Sequence, residues 1–183
     1  MKNIIPLLLL ALMTSCAESN QQIVKNYTKA YNKFDFEKAV SYLDTSYVET
    51  FVDGTIEVAD LDQLRDFMSW REVMESNTEI IEIAESGDTV ITTEETSNMM
   101  DRILERRPRS FKIKHLFADG KIKQTIIDTM PGYLETAEFN YNKLEAFQIF
   151  CDSMNFDFGY EMNAEAAAKI KEALKAYKDT QSK

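Results

Sequence analysis

The chain predicts an α+β domain in which a curved antiparallel sheet wraps around N-terminal helices, with a C-terminal helical extension. Three features carry that prediction. Apolar residues recur at helical spacing before residue 44, two long hairpins rich in Ile, Val and Thr occupy 78–96 and 110–129, and helical spacing returns after Pro131. Hydrophobic residues at 44% and aromatics at 11% suffice for a packed core.

Lys2, the apolar run 4–12 and the small-residue stretch Met13-Thr14-Ser15-Cys16 have the three-part form of a cleaved leader. Spanning a bilayer takes about 20 apolar residues, so residues 1–15 read as a signal and not as a transmembrane helix. Residues 16–22 read as a polar tether. Val24, Tyr27, Tyr31 and Phe34 then share one helical stripe, and Asp35 stands where a second helix begins, with Phe36, Ala39, Val40 and Leu43 on its apolar face. Residues 47–52 form a strand closed by Asp53-Gly54. Residues 60–74 form an amphipathic helix with Leu61, Leu64, Phe67, Met68 and Trp70 inward.

The first hairpin joins 78–85 to 89–96, and the second joins 110–118 to 121–129 through Asp119-Gly120. Asp-Gly is a two-residue turn signal because both central positions take positive φ. A tight turn pairs Ala118 with Lys121, Phe117 with Ile122, His115 with Gln124, Ile113 with Ile126 and Phe111 with Asp128. Alternation then puts the eight residues of the last four pairs on the inward face, and Lys112, Lys114, Leu116 and Lys123 on the outer one. After Pro131, Leu134, Phe139, Leu144, Phe147, Phe150, Cys151 and Met154 predict one helix. Asn163 is placed to N-cap another over 164–178.

The net charge of −10, one unit more negative without Lys2, argues against a nucleic-acid binder and against broad contact with an anionic bilayer. His115 is the only histidine and no cysteine pair has metal-ligand spacing, so neither a transition metal nor a cofactor is expected. Cys151, among Phe147, Phe150 and Met154, reads as a small core residue. The window 102–123 reverses the charge, with eight basic residues against Glu105 and Asp119. It reads either as a solvated outer sheet face or as a surface for anionic lipid or an acidic partner.

The leader resembles a bacterial lipoprotein signal, with Met13 where that motif prefers Leu. The resemblance implies acylation of Cys16, and stable anchoring takes at least two lipid chains. It places the domain in the bacterial cell envelope, lipid-anchored to a membrane and either periplasmic or surface-exposed. Residues 23–130 resemble the nuclear transport factor 2-like superfamily, in its SnoaL-like and ketosteroid-isomerase-like branches. The echoes are Phe34-Asp35-Phe36-Glu37-Lys38-Ala39, Leu61-Asp62-Gln63-Leu64-Arg65-Asp66-Phe67 and His115-Leu116-Phe117-Ala118-Asp119-Gly120-Lys121-Ile122. This implies a cystatin-like cone over 23–130 whose open end holds a small apolar ligand, with 131–183 as an extension outside it.

Tyr27 falls eight residues before Asp35, the spacing of the oxyanion-binding tyrosine in the isomerase branch. That branch adds a protonated aspartate and an aspartate base. Their positions fall near Ile113 and on Phe51, or Thr50 with a one-residue slip, so that mechanism is not expected here. Glu49 is the nearest base on the same strand side as Phe51, and Asp128 stands in loosely for the acid of SnoaL-like cyclases. His115 reads either as a general base or as a hydrogen-bonded lining residue. The candidate catalytic residues are therefore Tyr27, His115, Glu49 and Asp128. The candidate pocket lining is Tyr27, Tyr31, Phe51, Trp70, Ile113, His115, Phe117 and Gln124.

Two functions stay open. One is a membrane-anchored small-ligand-binding or protein-interaction module without catalysis. The other is a SnoaL-like isomerase, cyclase or dehydratase that uses acid–base residues in the cone. The expected partners are the membrane through lipid on Cys16, a small apolar ligand, and either a second copy, paired through the outer sheet face bearing Leu116, or an envelope protein. An open, polar-tipped cavity bounded by Tyr27, Phe51, His115 and Gln124 favours the enzyme.

Overall fold

A computed structural model describes residues 18–157, 159 and 161–181; the leader and Cys16 lie outside the described residues. Helix α1 (Asn20–Asn32) begins at the Ser19 N-cap, so residues 20–22, read as tether, are its first turn. The short α2 (Phe36–Val40) starts at Asp35, whose carboxylate accepts from Lys38 N at 3.0 Å. Strand β1 (Leu43–Phe51) turns at Asp53-Gly54 into β2 (Ile56–Val58), and Asp60 caps α3 (Leu61–Val73) through Gln63 N at 2.8 Å. Then come β3 (Asn77–Ser86), β4 (Thr89–Ser97), α4 (Met99–Ile103), β5 (Arg109–Ala118) and β6 (Lys121–Thr129). Helices α5 (Tyr133–Ser153) and α6 (Ala164–Gln181) complete the chain, the latter started by Asn163, which accepts from Ala166 N at 3.0 Å.

The strands form one six-stranded sheet in the order β2-β1-β6-β5-β4-β3. Every pair is antiparallel except β1 with β6, so the sheet is mixed, with its one parallel pair second from the β2 edge. Val24, Leu43, Leu64, Val90 and Ile122, all at most 1% exposed, pack between the concave face and α1–α3 and fill the narrow end of the cone. A second core lies on the far side of α3. There Met74, Leu104, Phe147, Cys151, Ala167 and Leu174 pack together, with Trp70 and Val73 of α3 against them. The extension is thus a helical layer seated on α3 and α4.

The second hairpin corrects the predicted register. Asp119 and Gly120 take φ of 50° and 74°, and Ala118↔Lys121 and Phe117↔Ile122 pair as expected. The register then shifts, and the next pairs are Leu116↔Gln124, His115↔Thr125, Ile113↔Ile127 and Phe111↔Thr129. The bulge at Lys123 turns Thr125 and Ile127 inward and carries Gln124 and Asp128 to the outer face, opposite Leu116 and Lys112. The reason is burial. Without the extra residue the cone interior would take up the Gln124 amide and the Asp128 carboxylate, whereas with it the wall gains a threonine and an isoleucine.

Candidate functional site

The inner wall is built in rows set by strand pairing. Glu49, Thr125, His115 and Val90 share one row, Phe51, Ile127, Ile113 and Thr92 the next, then Phe111 with Glu94, and Arg109, Thr96 and Thr78 at the wide end. Helices α1 and α3 close the other side with Tyr27, Tyr31, Phe67, Trp70 and Arg71. Between them lies a cavity of about 220 Å³, with Met162 from the loop before α6 also in its lining. An apolar cavity of about 150 Å³ holds benzene, so this one accommodates a substituted ring.

The polar groups inside form a chain of hydrogen bonds. Tyr47, fully buried, donates its hydroxyl to Glu49 Oε1 at 2.6 Å and lies 3.0 Å from Thr125 Oγ1. Thr125 Oγ1 stands 3.5 Å from His115 Nδ1. On the other side of the ring, Nε2 is 3.3 Å from Thr92 Oγ1 and 3.5 Å from Glu94 Oε1, while Thr92 donates to Glu94 at 2.7 Å. Both imidazole nitrogens are therefore engaged by the wall, which makes His115 a link between the two glutamates.

Burial raises the Glu49 carboxyl above its ordinary range, against the opposing effect of the Tyr47 hydrogen bond. Burial first, and the Glu49 charge second, push the Tyr27 and Tyr47 hydroxyls well up, so both stay protonated donors. Tyr27 stacks on Tyr31 with ring centroids 5.6 Å apart. Arg71, 4% exposed, lies 4.2 Å from the Tyr31 ring centroid and donates to Thr78 Oγ1 at 3.1 Å. Among the described residues no group of three or more His, Cys, Asp or Glu side chains is arranged to hold a metal ion.

The structure brings Tyr27, Glu49 and His115 to one cavity, with Tyr31, Phe51, Trp70 and Ile113 in its lining. It does not bring Asp128, Gln124 or Phe117 there. Asp128 accepts from Thr129 N at 2.8 Å, Gln124 donates to Thr50 Oγ1 at 3.1 Å on the outer face, and Phe117 packs against the core beyond His115. The displacement of the first two follows from the bulge. Sequence reasoning missed Arg71, Glu94 and Arg109. A signal existed for two of them: Arg71 falls on the Leu64-Met68 stripe of α3, and Glu94 is in phase with buried Val90 and Thr92.

The basic window divides. Its arginines have neighbours: exposed Arg102 pairs with Glu75, Arg106 with Asp101, Arg109 stands 3.7 Å from the same Asp101, and exposed Arg107 lies over the Phe139 ring. Lys112, Lys114, Lys121 and Lys123 remain exposed.

No protein-family profile and no curated protein sequence matches the chain. Solved structures do. An uncharacterized cystatin fold protein from Novosphingobium aromaticivorans superposes with a TM-score of 0.51 at 18% identity, covering 60% of this chain and 97% of that one. An NTF2-like protein of unknown function from Cytophaga hutchinsonii gives 0.48 at 14%, covering 64% and 95%. Identity this low establishes architecture alone, and the architecture is a cystatin-type fold in which a curved sheet wraps around helices.

Proposed function

We propose that the cone is a small-molecule acid–base enzyme of the isomerase, cyclase or dehydratase kind, held at an envelope membrane by lipid on Cys16. The observation that carries the chemistry is a buried carboxyl, Glu49, raised by its surroundings, facing a ring-sized cavity beside protonated tyrosines. A carboxylate of raised pKa is a better base and a more useful acid near neutral pH than an exposed one. In this reading Glu49 removes a proton from carbon next to a substrate carbonyl and returns it elsewhere. The Tyr27 hydroxyl donates to the oxygen on which negative charge develops. His115 acts through Thr125 and Tyr47 as a positioning residue for Glu49.

The anchor would act at short range. Three residues separate Cys16 from the start of α1, and an extended residue spans about 3.5 Å, so the first turn of α1 would sit close to the bilayer.

The experiment is deuterium uptake from D₂O into ring ketones, followed by NMR, with the native protein and with Glu49→Gln and Tyr27→Phe. Glu49→Gln is expected to cut the exchange rate by about 10²–10⁴ and Tyr27→Phe by about 10²–10³. Binding of such ketones without exchange would replace this reading with the non-catalytic module. Detergent-phase partitioning that Cys16→Ala leaves unchanged would remove the lipid.

A further inference from the structure

Among the described residues, four buried side-chain atoms have no hydrogen-bonding partner: Trp70 Nε1, Arg71 Nε, Ser76 Oγ and Arg109 Nε. All four residues line the cavity. Buried polar groups are ordinarily satisfied, and each orphan costs about 1–3 kcal/mol. Their gathering around one cavity, from the sheet and from α3, marks it as built for something that supplies the partners. An indole N–H and a guanidinium donate and never accept, so the missing groups are acceptors.

The charge balance points the same way. Arg71 is 96% buried in effect, at 4% exposure, yet takes part in none of the described ion pairs. It touches the Thr78 hydroxyl and the Tyr31 ring, and it acts on the Glu49 carboxyl only through space. Arg109 reaches Asp101 only at 3.7 Å, and Asp101 is already held by Arg106. The bond from Arg71 to Thr78 places its guanidinium at the row that also holds Arg109, so two cations meet at the wide end, while Glu94 in the next row is bound to Thr92 and His115. A buried cation with no carboxylate in contact is costly, and an anion in the cavity offsets that cost.

We propose that this end of the cavity is a carboxylate subsite, formed by Arg71 with Arg109 and Trp70, and that the cognate small molecule is a ring-sized apolar body bearing one carboxylate. The single charge follows from two carboxyls that line the same space, Glu49 at the far end and Glu94 in the row next to the arginines, which oppose a dianion such as a phosphate monoester. The volume of about 220 Å³ limits the body to a substituted ring. The inference rests on the cavity being a small-molecule site and deepens that part of the proposed function. With the carboxylate held at the arginines, the rest of the ligand points along the rows toward Glu49.

The test uses the full chain and titration calorimetry with benzoate and phenylacetate against benzamide and phenylacetamide, neutral amides of the same shape. The acids are expected to bind at least about tenfold tighter than the amides, as charge-assisted pairing to arginine requires. Arg71→Met is expected to bring the ratio close to one, and Arg71→Lys to leave it in between. Should Arg71→Met fail to fold, Arg109→Met and Trp70→Phe carry the same comparison, each reducing the ratio. Equal binding of acid and amide, no binding of either acid, a ratio that survives the arginine variants, or phenyl phosphate binding tighter than benzoate would each overturn the subsite. Acid binding that depends on Arg71 without deuterium exchange upholds the subsite and overturns only the enzyme reading; exchange on neutral ketones with no acid preference does the reverse.

Discussion

Glu49 is the residue on which function and stability pull in opposite directions. Its carboxyl is more basic folded than unfolded, mainly because burial penalises the charge. The folded state therefore holds a proton that the unfolded chain has released, and stability falls as pH rises from near the ordinary carboxyl value of 4.5 through the raised folded one. Glu49→Gln removes that titration. The variant is expected to lose the decline in thermal midpoint contributed by this residue and to exceed the wild type in stability at neutral pH, while losing proton transfer. Thermal unfolding measured from pH 4 to pH 8 checks this, and parallel curves for the two proteins would refute it. Glu57, raised by its own partial burial, leaves a slope of the same sign in both proteins.

At the scale of elements, periodicity located α1, α2, α3, both long hairpins and the two C-terminal helices, because each carries an apolar stripe or alternation of its own. It did not reveal β2 or α4, of three and five residues, which are too short to show a period. Nor did it reveal the bulge, since Ile122, Gln124, Ile126 and Asp128 alternate as regularly as Thr125 and Ile127. The choice between them is made by what each face meets. The latches between elements were equally silent. Asn32 exchanges two hydrogen bonds with the backbone of Thr78 at 2.6 and 2.9 Å and so fixes α1 to the edge strand β3.

Asn140 does the same for Arg107, accepting from its N–H at 2.8 Å and donating to its carbonyl at 2.9 Å, and so ties α5 to the start of β5. Asn140→Ala leaves both backbone groups unpaired and is expected to cost about 2 kcal/mol. Asn140→Asp keeps the acceptor and is expected to lose about half as much. Urea midpoints at constant m-value measure both, and an unchanged Asn140→Ala midpoint would mean that α5 is held by its apolar face alone.

For the whole molecule the question is whether the cone and the helical layer unfold together. Helix α3 belongs to both: Leu64 and Met68 face the cone, while Trp70, Val73 and the adjoining Met74 face α5 and α6. Lys171 of α6 strengthens the joint by donating to the Val73 carbonyl at 3.2 Å and to Glu75 at 3.1 Å, where the end of α3 favours a cation. Losing the layer would expose Met74 and Leu104, and at about 1.5–3 kcal/mol per large apolar side chain that loss of about 3–6 kcal/mol reaches the lower end of a whole domain's stability. One cooperative transition is therefore expected. Two natural probes report on it: Trp70, the only tryptophan, lies at the joint, and Cys151 lies 2% exposed inside the layer with its thiol pushed up to about 11 by burial. Native protein should resist thiol labelling, and the urea midpoint for Cys151 labelling should coincide with those of Trp70 fluorescence and far-ultraviolet circular dichroism. Labelling of Cys151 at clearly lower urea, with the sheet signal intact, would show that the layer opens on its own and that α3 does not couple the two cores.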